Sequence, residues 1–102
     1  MRIHDLHPEA EAEFFGEIEY LQTYSPQAAA RFLDDHEKTL VLILDFPRSG
    51  SMYDDPIRKI SLTDHHFSLF YFISPEEMIF ILAVMNQNRR PDYWKDRLQD
   101  IE

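Results

Sequence analysis

A chain of 102 residues holds one hydrophobic core and no separate cofactor domain, so a single domain spanning residues 1–102 is expected. Its 44% hydrophobic and 14% aromatic content is that of a packed globule rather than a disordered segment, and the absence of cysteine excludes thiol catalysis, disulfides and thiolate metal sites. The net charge of −9 is concentrated in residues 1–50, which hold 4 basic and 10 acidic side chains, and such a field repels phosphate at long range.

Arg2 to Leu6 reads as a short strand. His7-Pro8-Glu9 then opens a helix, because proline suits the first helical position and carboxylates suit the first turn. Ala10, Phe14, Ile18 and Leu21 recur at helical spacing and share one face, while Glu11, Glu13, Glu17 and Glu19 fall mainly outside it. Ser25-Pro26 starts a second helix with Ser25 as its N-cap, and Ala29, Phe32, His36, Leu40 and Ile43 form its apolar stripe. The helix ends near Asp45-Phe46-Pro47, since proline disfavours helical geometry in the residue before it. The short Gln22-Thr23-Tyr24 connection makes the pair an antiparallel hairpin.

Pro47 to Pro56 shows no period and holds one of the two glycines, so a loop is expected there. Strands are predicted from Ile57 to Leu62, His66 to Ile73 and Met78 to Met85, the last two joined by a Ser74-Pro75-Glu76-Glu77 turn. The last two strands are nearly continuous apolar runs, which suits central strands with both faces covered or with one face left for a partner. From Ala83 to Leu98 the chain passes from apolar strand to a cationic Arg89-Arg90 turn, then to a helix started by Pro91 and carrying Tyr93 and Trp94. The order implies an α+β fold: an N-terminal strand, an antiparallel helical hairpin packed on an antiparallel β-sheet, and a short C-terminal helix.

Arg58-Lys59 and Arg89-Arg90 are the compact cationic pairs of an acidic chain. Screening limits charge effects to roughly 8 Å, so a patch of this size acts locally against the overall field. Arg58 and Lys59 alternate across a strand, where one of them equally serves as a charged guard of a sheet edge. Tyr93 and Trp94 suit docking of the last helix, and the arginines suit pairing with Asp92 or Asp96. His4 and His7 straddle a strand–helix break and His65-His66 point to opposite faces, so no metal site or cofactor is expected. No run nears the ~18 apolar residues of a membrane span, and Met1-Arg2-Ile3-His4-Asp5 lacks a signal-peptide core, so a cytoplasmic location without membrane contact is expected.

Pro8-Glu9-Ala10, Tyr20, Ser25 and Ala29 ahead of Arg31-Phe32-Leu33, Phe46-Pro47, Ile57-Arg58, Leu62, Tyr71, and Leu82-Ala83-Val84 before Arg89-Arg90-Pro91-Asp92-Tyr93-Trp94 form a long ordered pattern. In order and spacing it resembles the RelE/ParE toxins of type II toxin–antitoxin systems, known as plasmid-stabilisation proteins, and it lies nearer the ParE-like branch. The resemblance covers nearly the whole chain. It implies a cognate antitoxin and a toxin that binds DNA gyrase without enzymatic chemistry, with Arg58, Lys59, Arg89, Arg90, Tyr93 and Trp94 as target-binding residues. DNA is expected only indirectly, through the antitoxin. The alternative is a RelE-like, ribosome-dependent mRNA endonuclease with Arg58, Arg89 and Tyr93 as catalytic candidates; a third is an inactive toxin that retains antitoxin binding.

Two positions depart from the family pattern. His65-His66-Phe67 stands where the strand often enters as Phe-Pro-Tyr, and Asn86 stands where a histidine is frequent. Cutting RNA through its own 2′-hydroxyl needs a base, an acid for the leaving 5′-oxygen and cations for the developing charge. Asn86 exchanges no proton at neutral pH, and loss of such a group typically costs ~10²–10⁴ in rate. The apolar strands exceed what two short helices cover, so exposed apolar sheet and helix surface is expected to receive the antitoxin.

Overall fold

The structure, a computed structural model, describes residues 4–63, 66–86 and 93–100, residues 98–100 by backbone alone. The sequence-predicted features at Arg2, Ile3, His65, Arg89, Arg90, Pro91 and Asp92 lie outside the described residues. Strand β1 (His4–Leu6) leads into helices α1 (Pro8–Gln22) and α2 (Pro26–Asp45), followed by β2 (Ser51–Asp54), β3 (Ile57–Ser61), β4 (Phe67–Ile73), β5 (Ile79–Asn86) and a 3₁₀ helix (Lys95–Asp100).

Both α-helices start where proline and a capping side chain coincide. His7 Nδ1 accepts a hydrogen bond from the Glu9 amide at 3.1 Å, so the His7 side chain caps α1. Ser25 Oγ accepts from the Ala28 amide at 3.0 Å and satisfies one of the first-turn donors of α2. The expected apolar stripe of α2 is buried in full, from Ala29 through Phe32, His36 and Leu40 to Ile43. Phe14 of α1 lies over the His36 ring at 4.3 Å and tilts against Phe32, which locks the hairpin.

The strands form one sheet in the order β1-β5-β4-β3-β2. It is mixed rather than wholly antiparallel. The β2–β5 meander is antiparallel throughout, but its last strand returns alongside β1 in the same direction, pairing Leu6 with Ile81. Strand β2 occupies what the sequence presents as a loop. All four of its side chains are exposed, so no apolar alternation marks it, and backbone pairing with β3 alone defines it. The segment before β2 is pinned by Tyr71, whose hydroxyl donates to the Pro47 carbonyl at 2.7 Å and accepts from the Gly50 amide at 3.0 Å. A Cβ on Gly50 would stand 2.6 Å from that hydroxyl oxygen, which is why only glycine fits there.

Alternation in β5 is broken by a bulge. Phe70 pairs with Ala83 and Tyr71 with Ile81, leaving Leu82 as the extra residue. Ile79, Ile81 and Val84 therefore face the helices, whereas Leu82, Ala83 and Met85 face the other side. Both sheet faces are covered. The helical hairpin buries one, and Trp94 with Phe70, Leu82, Ala83, Met85 and Ile57 forms a second core on the other. The expectation of an exposed apolar sheet surface is thus corrected, because the C-terminal segment supplies the cover that two helices do not.

The C-terminal helix also differs from the expected form. Tyr93 and Trp94 lie in a turn before a 3₁₀ helix that begins at Lys95. Arg97 donates its amide to the Trp94 carbonyl at 2.9 Å, the tighter i→i+3 pattern that brings Trp94 down onto the sheet.

Candidate functional site

Strand β1 ends at Leu6, and the His7 amide donates to the Ile81 carbonyl at 2.9 Å. Beyond the bulge, the outer edge of β5 has no strand beside it among the described residues, yet buried backbone groups require partners. Side chains supply them. Glu13 of α1 accepts the Val84 amide at 3.1 Å, and Arg97 donates to the Leu82 carbonyl at 3.0 Å. The two close on each other with two parallel N–H to oxygen bonds, each 2.9 Å, the bidentate geometry in which guanidinium and carboxylate bind most strongly.

Tyr93 and Glu9 complete this clasp. The Tyr93 hydroxyl donates to Glu13 Oε2, and its ring lies 5.1 Å from the Arg97 guanidinium carbon. Glu9 approaches Arg97 Nε at 3.4 Å from the exposed side. Burial alone would lower the Arg97 pKa, but the hydrogen bonds and charge of Glu13, with Tyr93 and Glu9 adding to them, hold it above its ordinary value. The clasp joins three sequence-distant elements: helix α1, the bare edge of β5 and the C-terminal turn.

Trp94 is fully buried, tilted against Phe70 at 4.4 Å and flanked by Tyr53 at 5.9 Å. Lys59 Nζ stands 5.9 Å from the Phe70 ring on the same face, so Lys59, Tyr53 and Trp94 share one aromatic platform. Lys95 bridges to Asp54 at 3.3 Å and ties the start of the 3₁₀ helix to β2. Arg58 is turned to the opposite face. It pairs with Tyr71 across the sheet and donates to the carbonyls of Gly50 at 2.8 Å and Arg48 at 3.4 Å.

The described candidate residues therefore do not gather at one point. Arg58 on β3 and Tyr93 beside the outer edge of β5 are separated by β4, roughly 10 Å of sheet at ordinary strand spacing. Asn86 ends β5 and lines a cleft of about 290 Å³ with Glu13, Gly16, Glu17, Phe67 and Val84. Two carboxylates and no cation line it among the described residues. With Glu13 closed on Arg97, the Glu17 carboxylate disfavours phosphate there, and among the described residues the cleft offers no imidazole to move a proton.

Glu13 and Arg97 are the residues that sequence reasoning missed. Their signals are faint: Glu13 follows Ala10 by three residues on the flank of the apolar stripe, and Arg97 follows Trp94 by three. Nothing local announces that they pair across a separation of 84 residues.

The family model for the ParE toxin of the type II toxin-antitoxin system, parDE, matches residues 5–91. The chain belongs to that family. As a ParE-family member it is a type II toxin–antitoxin toxin, and membership implies a cognate antitoxin. Among solved structures it is similar to a chain of the chromosomal ParDE toxin–antitoxin system from P. aeruginosa, with a TM-score of 0.70 and 17% identity over 84% of this chain and 96% of that one. It is also similar to the isolated E. coli RelE toxin, with a TM-score of 0.56 and 18% identity over 100% of both chains. At these identities the likeness establishes the shared α+β fold. The search of curated protein sequences found no match. The ParE match ends at residue 91, so Tyr93, Trp94 and the Arg97 clasp lie beyond the segment it covers.

Proposed function

We propose that this ParE-family chain acts in the cytoplasm by binding DNA gyrase, without cutting a substrate, and that its cognate antitoxin silences it, a role suited to plasmid stabilisation. The observation that supports this reading is the Asn86 cleft, which among the described residues is lined by Glu17 and by a Glu13 already closed on Arg97, and by no cation or imidazole of the kind RNA cleavage would use. Arg58 and Tyr93 support it further. The first is committed to the backbone of residues 48 and 50 and the second to Glu13, on separate parts of the sheet. Lys59 remains on the aromatic platform as a target-facing cation, with Arg89, Arg90 and Tyr93 as the other proposed contacts, whereas Trp94 is fully buried in the second core and supports that platform from beneath.

The second reading, a ribosome-dependent mRNA endonuclease, draws support from the match to the RelE toxin along both full chains. Induction without antitoxin separates the two. Gyrase-dependent DNA breaks and altered plasmid supercoiling, with transcripts intact, are the expected outcome. Codon-positioned mRNA cuts with normal supercoiling would establish the nuclease instead, and neither effect would point to an inactive toxin that keeps only antitoxin binding.

A further inference from the structure

Residues 8–45, the helical hairpin, hold nine carboxylates against only Arg31 and Lys38, and so carry most of the net charge of −9. Lys38 is already paired with Asp34 at 3.0 Å. On α1 the exposed row one turn apart reads Glu11, Phe15, Glu19, with Phe15 53% exposed. On α2 the corresponding row reads Leu33, Glu37, Val41, with the two apolar residues 41% and 53% exposed. Among the described residues, Glu11, Glu19 and Glu37 have no cation within ion-pair distance.

The two rows face each other. Glu13, on the opposite flank of α1, reaches the β5 edge, and Asp35, on the opposite flank of α2, accepts the Thr63 amide at 3.1 Å after β3. Because Phe14 packs between Phe32 and His36 at the helix–helix contact, the flanks bearing Phe15 and Leu33 turn inward as the lips of the outer interhelical groove. Large apolar side chains in water, alternating with unpaired carboxylates, make a surface of defined complement: an amphipathic helix with aliphatic residues on one stripe and lysine or arginine beside it.

We propose that this groove docks a cationic amphipathic helix of the antitoxin, so that the neutralising segment for this toxin is basic. The inference rests on the toxin–antitoxin reading above and adds the sign of the partner's charge. A second copy of the chain is the poorer occupant, because it would bring a hairpin of the same sign against this one. Nucleic acid is repelled for the same reason.

The test is calorimetric titration of the full chain with the full-length product of the reading frame adjacent to its gene. Three chains are compared: wild type, the Glu11→Gln/Glu19→Gln/Glu37→Gln variant, and a control with Asp55→Asn/Glu76→Gln/Glu77→Gln on the sheet turns. The groove variant is expected to bind about tenfold more weakly, at roughly twofold for each of the three exposed pairs, and the control within about twofold of wild type. Raising salt should narrow the gap between wild type and groove variant. A synthetic Leu/Lys amphipathic helix should bind wild type better than the groove variant, and its Leu/Glu counterpart should bind neither.

A partner that binds all three chains equally would overturn the inference and leave the toxin–antitoxin reading standing. Failure to bind wild type at all would remove both. Self-association of the chain alone that is lost in Phe15→Ser would overturn the inference in favour of a second copy.

Discussion

Replacing Arg97 with methionine keeps most of the side-chain volume and removes the cation from the clasp. Glu13, only 16% exposed in the intact pair, then loses its bidentate partner, and the Leu82 carbonyl loses its donor. Breaking a buried pair by removing one member typically costs 3–5 kcal/mol. The Val84 amide and the Tyr93 hydroxyl still bind the stranded carboxylate, which places Arg97→Met near the lower end, about 3 kcal/mol. The exposed contact to Glu9 adds little. For a domain of this size, such a loss lowers the Tm by roughly 12–20 °C. Urea and thermal unfolding of Arg97→Met, Glu13→Gln and the double variant measure the pair directly, and a coupling of about 2 kcal/mol is expected. Additive single-variant effects, or an Arg97→Met loss below about 1 kcal/mol, would refute the clasp as the fastening of the C-terminal segment.

Trp94 is the only tryptophan, so native emission should be blue-shifted; Trp94→Ala should cost about 3–5 kcal/mol, and Arg97→Met should shift emission to the red before global unfolding. Trp94→Phe should be far milder, because among the described residues the indole Nε1 has no hydrogen-bond partner to lose. Gly50→Ala should destabilise by about 1–3 kcal/mol, and combining it with Tyr71→Phe should recover only part of the loss, because the ring carbon Cε1 at 2.9 Å and the Lys59 carbonyl at 3.0 Å remain. His36 is held down to about 4 by burial first and by the His4 charge second, against an opposing pull from Asp35. Its folded pKa lies below the unfolded value of 6.5, so the unfolded chain binds the extra proton and His36 lowers stability as pH falls from about 6.5 to about 4. That contribution reaches about 3 kcal/mol at the acid end and should vanish in His36→Leu, compared by urea unfolding at pH 7 and pH 4.5.

The α-helices were readable because local chemistry and tertiary packing agree there. Proline with a cap at each start and apolar residues at helical spacing place both to within a residue or two. The misreadings have local silence in common. An edge strand whose four side chains all face solvent leaves no apolar period, so β2 looks like loop. A bulge at Leu82 puts two neighbouring apolar residues on one face, so β5 looks uniformly greasy rather than alternating. The parallel placement of β1 follows from the return of a strand more than 70 residues later, which no window along the chain contains. The site was legible in its residue types and not in its geometry: Tyr93 and Trp94 stood out, but one is bound to Glu13 and the other forms the second core.

That geometry makes a demanding test of the non-enzymatic reading possible. Asn86→His returns a titratable group to the position where a histidine is frequent among RelE/ParE toxins. If only the imidazole were missing, this single change would create an RNA-cleaving toxin. The cleft argues otherwise, since Glu17 beside position 86 would favour the imidazolium and leave it a poor base, while Glu13 there is already closed on Arg97. The Glu17 carboxylate would also oppose the phosphate that must lie there. Among the described residues, the nearest cations by topology serve elsewhere: Arg58 holds residues 48 and 50 on the helix side, and Arg97 is closed on Glu13. Absence of one positioned cation for the developing charge costs on the order of 10²–10³ in rate, on top of the misplaced proton. Asn86→His is therefore expected to leave transcripts intact in a translating extract, and to leave the proposed gyrase poisoning unchanged. Codon-positioned cuts in that variant alone would show that one residue separates the two activities, and the acidic cleft would lose its part in the argument.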